Sequence, residues 1–168
     1  MEYNSRMKTL LILALALGSS SCSVLKQGAG LLNPAGDAST IDKIEWSQGG
    51  VRSNGAGDFR SITFNRAGSA KREEETFEHD VPKTGDKVTN STGRITPEQF
   101  TKLAETLVKL GFFTKKSAGA VTDASETITV TEGQKEMYLS IMMSEDPDLK
   151  AMRTAIFDLD KSVQWQDQ

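Results

Sequence analysis

Cys22 is the one residue in this chain whose type and surroundings point to covalent chemistry. It is the only cysteine in 168 residues. Lys8, an unbroken apolar run at residues 10–17 and the small residues Ser19, Ser20 and Ser21 precede it in that order. In bacterial envelope proteins this layout marks cleavage just ahead of a cysteine whose sulfur is acylated and which becomes the new N-terminus. A helix that spans a bilayer needs roughly 20 apolar residues, so the run is too short to span and suits a cleaved core. Residues 1–21 are therefore expected to be a signal peptide, with Cys22 as the lipidation site. Ala14-Leu15-Ala16 offers a second reading, the small-x-small form of ordinary secretory cleavage, which would release a soluble protein. Ser19 stands where a lipoprotein signal usually has leucine. Met7, which opens Met7-Lys8-Thr9-Leu10-Leu11, makes a more compact signal start than Met1.

Other constellations are weaker. His79 is the sole histidine and sits within Glu78-His79-Asp80, but no Gly-x-Ser-x-Gly elbow accompanies it. One histidine and one acylated cysteine cannot build a zinc site from the usual nitrogen and sulfur ligands. Lys83-Thr84-Gly85 and Ser23-x-x-Lys26 copy boxes of penicillin-interacting enzymes, but the Ser-Asp-Asn element is missing and the serine lies next to the cleavage site. Glu73, Glu74, Glu75, Glu78 and Asp80 form the densest acidic cluster. They lack the calcium-wrapping loop pattern, and neighbouring strand residues point to opposite faces. Asp158 and Asp160 lie two apart on a helix, where side chains diverge. Met137, Met142, Met143 and Met152 read as core filler, and Asn90-Ser91-Thr92 as an acceptor motif without meaning in a bacterial envelope. The expectation is no catalytic set, no metal and no cofactor.

The elements that would position such residues are legible from periodicity. Residues 41–47 alternate around Ile44 and Trp46, and residues 58–65 around Ile62 and Phe64, so both read as strands. Gly49-Gly50 and residues 54–57 read as a loop. Residues 66–69 read as a hairpin turn, and residues 70–78, mostly charged, as an edge or solvent-exposed strand. Residues 82–93, dense in Pro, Gly, Asn and Ser, read as a loop. Thr96, Pro97 and Gln99 compose a capping box with Pro in the first turn, and Ile95 and Phe100 a hydrophobic staple. Phe100, Leu103, Leu107 and Leu110 then form a helical stripe, beside Ala104 and Val108, that Gly111 ends. Phe112 and Phe113 are expected in the core. Residues 127–131 and 137–143 flank a turn at residues 132–135. A final helix from Asp146-Pro147 carries Leu149, Met152, Ile156, Leu159 and Val163 on one side. The predicted fold is α+β: a single antiparallel sheet of about five strands, ordered β-meander, helix, β-hairpin, helix, with two helices on one face.

Residues 22–40 read as the lipidated cysteine and a flexible tether, and residues 41–168 as a single domain, enough chain for one core. Cleavage removes Glu2, Arg6 and Lys8, so 18 basic face 22 acidic residues in the mature chain. A mildly acidic balance argues against general nucleic-acid binding and against a polybasic membrane patch. The sole thiol is consumed by lipid, so no disulfide is expected.

The order of signals, with Ile95-Thr96-Pro97-Glu98-Gln99-Phe100 opening a helix, then Gly111-Phe112-Phe113, Thr122-Asp123-Ala124, Pro147-x-Leu149 and Trp165, resembles a group of uncharacterised bacterial secreted and lipoprotein domains of unknown function. The resemblance covers about residues 41–165 and implies a fold but no activity. Members often carry cysteines after the first strand, where this chain reads Gly49-Gly50-Val51-Arg52. The leading expectation is a membrane-anchored, non-catalytic interaction module facing the periplasm. Its lipid anchor sits in the membrane, outer if the host has one, and an envelope protein is a possible partner. The competing expectations are a small secreted hydrolase, with His79 and Asp123 as candidate members of its site, and an enzyme inhibitor that inserts residues 49–57.

Overall fold

Side chains alternate across a strand, so inward apolar residues at every second position fix which face of a sheet is buried. In the computed structural model, which describes residues 36–51, 56–77, 87–116, 124–141 and 144–168, that alternation builds the core. Strands β1 (Lys43–Val51), β2 (Gly57–Asn65), β3 (Ser69–Phe77) and β4 (Lys87–Arg94) run as an antiparallel meander. Helix α1 (Pro97–Lys109) carries the chain back across the sheet to β5 (Ala124–Glu132), which pairs with β1, and β6 (Lys135–Ser140) follows as a hairpin. Helix α2 (Pro147–Ser162) makes the return crossing to β7 (Gln166–Asp167) beside β4. The sheet order is β6-β5-β1-β2-β3-β4-β7.

The sheet thus has seven strands where about five were expected. The first source of the difference is β4, inside the segment read as a loop. Val88 is its only large apolar residue and is half exposed, so it shows no inward periodicity. Backbone pairing to β3, from Ser69↔Arg94 to Thr76↔Lys87, makes it a strand regardless. The second is β7, two residues long and below any periodic signal. Because β4 covers β3, the charged strand is interior to the sheet rather than an edge. Gly49 and Gly50 also belong to β1, opposite Phe59 and Asp58 on one side and Ser125 and Ala124 on the other.

Ile44 lies opposite Phe64 and Val130, and Trp46 opposite Ile62 and Ile128. These residues are buried in one cluster with the stripes of both helices: Phe100, Leu103 and Leu107 from α1, and Leu149, Met152, Ile156 and Leu159 from α2. The helices also pack against each other. Both halves of the capping box form: Gln99 N donates to Thr96 Oγ1 at 3.2 Å and Thr96 N to Gln99 Oε1 at 2.8 Å. Gly111, at φ +81°, supplies the left-handed residue that ends α1. Gly93 answers a close approach, since a Cβ there would lie 2.3 Å from Val163 Cγ1.

The described residues belong to one unit, residues 33–168. Residues 37–40, read as the end of the tether, form a 3-10 turn capped by Asp37. The Arg66 guanidinium holds this turn in place by donating to the carbonyls of Ile41 and Ala38 while lying over the Phe100 ring. Residues 1–21, read as a signal peptide, and Cys22, Glu78, His79, Asp80, residues 83–85, Asp123, Met142 and Met143 lie outside the described residues. Among the described residues no helix is long and apolar enough to cross a membrane.

Candidate functional site: a charged cleft between the second helix and the sheet

The inward face of the sheet changes character beyond Trp46. In register with Gln48 stand Glu126 on β5 and Arg60 on β2, with Glu74 on β3 opposite Arg60. Arg72 lies opposite Ile62. Each is two residues from a core position (Glu126 from Ile128, Arg60 from Ile62, Arg72 from Ala70), so the strand period turns these charges to the helix-covered face. Over them, α2 contributes Arg153, Phe157 and Asp160, three residues at helical spacing beside its apolar stripe.

The charges are tied in pairs. Trp46 Nε1 donates to Glu126 Oε1 at 2.7 Å, and Arg153 Nε approaches the same oxygen at 2.9 Å. Glu126 is only 6% exposed, and these two charge-assisted contacts compensate for its burial. Arg72 Nη2 donates to Asp160 Oδ1 at 2.6 Å, and its guanidinium lies 4.6 Å from the Trp165 ring. Trp165 Nε1 donates to the Asp160 carbonyl at 3.2 Å, closing that corner. Arg60 directs Nε and Nη2 to Glu74 Oε1 at 3.2 and 2.7 Å, with both side chains reaching solvent. Trp46 and Phe157 meet edge to face with centroids 4.8 Å apart.

Between these groups lies a cavity of about 180 Å³, bordered by Trp46, Arg60, Arg72, Glu74, Phe157 and Asp160. Two guanidiniums, two carboxylates and two aromatic rings thus surround one small space with balanced charge. A larger groove of about 740 Å³ lies near the β2–β3 turn and the end of α2; among the described residues Arg94 is the only charged one lining it.

Of the residues singled out by sequence, Glu74 and Asp160 reach the cleft. Glu73 turns away and pairs with Lys71 at 2.8 Å, and Asp158 pairs with Lys161 at 3.4 Å, so each run of carboxylates is split between faces. Met152 is fully buried, and Met137 packs partly buried on the core. No group of three or more His, Cys, Asp or Glu among the described residues is arranged to hold a metal ion. Trp46, Arg60, Arg72, Glu126, Arg153 and Phe157 were not foreseen as a site. The available signal was a charged residue at an inward strand position, repeated on β2, β3 and β5. No known family model matches this chain, and no curated protein matches it.

Proposed function

We propose that this chain is a bacterial envelope lipoprotein whose domain serves as a binding module at the membrane surface, with Cys22 carrying the anchor and an envelope component as its partner. The observation that carries the anchor is the order Lys8, apolar residues 10–17, Ser19-Ser20-Ser21, Cys22. Support for binding rather than catalysis comes from the cleft. Its carboxylates are engaged by arginines at 2.6–2.9 Å, which sets both partners in place as hydrogen-bonding groups in the cleft. The same proposal keeps the resemblance to a group of envelope domains of unknown function, which is read from the sequence signals at Ile95–Phe100 and Gly111-Phe112-Phe113.

Intact mass of the protein extracted from its membranes tests the anchor. The expected mass is that of residues 22–168 plus acyl chains, shifting to an unacylated form in Cys22→Ser. An unacylated wild-type protein beginning elsewhere would refute the anchor. Complementation of a deletion strain by His79→Ala and Asp123→Ala should remain complete; loss of function in either variant would favour the hydrolase.

A further inference from the structure

We propose that the cleft between α2 and the sheet binds one neutral sugar ring, with Arg60, Arg72, Glu74 and Asp160 reading its hydroxyls and Phe157, backed by the buried Trp46, on its apolar side. This inference rests on reading the domain as a binding module and names the ligand class of that module. It does not depend on the anchor.

The cavity is small. Its 180 Å³ falls below the roughly 300–1,000 Å³ of sites for drug-sized ligands, so it suits a single ring. The charge balance narrows the class. An anion drawn to Arg60 and Arg72 meets Glu74 and Asp160 in the same space, and a cation drawn to those carboxylates meets the arginines. A neutral ligand that both donates and accepts escapes both penalties. Vicinal hydroxyls do this: an arginine presents a planar fork of donors to neighbouring oxygens, and a carboxylate accepts from neighbouring O–H groups.

Donor capacity remains at each pair. A guanidinium has five N–H donors; Arg60 commits Nε and Nη2 to a single oxygen of Glu74, and Arg72 uses Nη2 toward a single oxygen of Asp160. The groups are also set in place beforehand. Arg72 is held between Asp160 and the Trp165 ring, and Trp46 is fixed by its bond to Glu126 and its contact with Phe157. Little side-chain freedom is lost when a ligand arrives, which favours binding of a small molecule with few contacts.

Both tryptophans of the chain report on this site: Trp46 borders the cavity and Trp165 stacks on Arg72. The experiment is a tryptophan-fluorescence titration of the full mature chain in detergent, with saturation-transfer NMR as a second readout. The probes are N-acetylglucosamine, glucose, galactose, sodium glucuronate and chitotetraose. At least one neutral sugar is expected to saturate, with glucuronate at least tenfold weaker. Arg60→Gln and Glu74→Gln alter side chains 56% and 41% exposed, so both variants should keep the parent's melting temperature while losing at least tenfold in affinity. Tighter binding of chitotetraose than of N-acetylglucosamine would assign the ring to a glycan chain, and equal binding to a free monosaccharide; either supports the site. No saturable response to any neutral sugar, preference for glucuronate, or unchanged affinity in both variants would overturn it. None of those results bears on acylation of Cys22, which intact mass reads separately.

Discussion

Glu126 shows how a single residue ties the sheet to α2. Its carboxylate accepts from Trp46 and pairs with Arg153 while nearly out of solvent. Truncating it strands a buried indole N–H, which costs about 1–3 kcal/mol, whereas Arg153, half exposed, can turn to water. Glu126→Ala is therefore expected to lower stability by about 1–3 kcal/mol in urea melts, and Glu126→Gln, which keeps an acceptor for Trp46, by less. Equal losses would mean that the negative charge rather than the acceptor matters. A second tie is sensitive to pH. Lys115 Nζ reaches Asp146 Oδ2 at 2.7 Å and Asp148 Oδ2 at 2.9 Å, joining the segment that follows the turn after α1 to the start of α2. The hydrogen bond to Lys115 holds the Asp146 carboxyl below its ordinary value, and the bonds to Asp146 and Asp148 raise Lys115 above its own. A depressed carboxyl stabilises the fold above its unfolded-state pKa and loses that contribution as pH falls through the folded value. A raised amine contributes below its unfolded-state pKa and loses it as pH rises through the folded value. The clamp should thus act across the neutral range and fade at both extremes. Lys115→Met should flatten the dependence of the melting temperature on pH at the acid end relative to the parent.

At the scale of elements, α1 and the two rings after it set the strongest test of the core. Phe100 is fully buried on the α1 stripe and Phe112 is 4% exposed, while Phe113 is half-buried, edge to face with Phe112 at 5.3 Å. Phe100→Ala and Phe112→Ala are expected to cost about 3–5 kcal/mol each, and Phe113→Ala less, with Glu74→Ala within about 0.5 kcal/mol. Thr96→Ala should cost about 1 kcal/mol through the lost cap. Urea melts at neutral pH measure all five. These elements were legible because each carries local redundancy: a cap, a stripe and a stop agree for α1, and alternation with a turn agrees for β2 and for β5–β6. Strand β4 carries none of these marks. Its residues are chosen for neighbours distant in sequence, as Gly93 is for Val163, so nothing within the segment distinguishes it from a loop. The cleft was hidden for a related reason. Arg60, Arg72 and Glu126 acquire a common meaning only when register aligns three strands and α2 lays Asp160 and Arg153 across them.

For the whole molecule, the proposed anchor and the chain that follows it determine where the domain works. A single acyl chain gives only marginal, reversible attachment, so stable anchoring at Cys22 requires more than one chain on the mature N-terminus. Under the proposed anchoring, the residue after the cysteine selects the membrane. Ser23 is not the aspartate that retains lipoproteins at the inner membrane in enteric bacteria, so the wild-type chain is expected in the outer membrane of a two-membrane host. Density-gradient fractionation of three chains checks this. The wild type should band with outer-membrane porins, Ser23→Asp with inner-membrane markers, and Cys22→Ser with the soluble fraction. Co-fractionation of Cys22→Ser with the outer membrane would show that contacts of the folded domain, rather than lipid, hold the protein there. Wild-type protein in the soluble fraction would instead favour cleavage after Ala14-Leu15-Ala16, and the domain would then act free of any membrane.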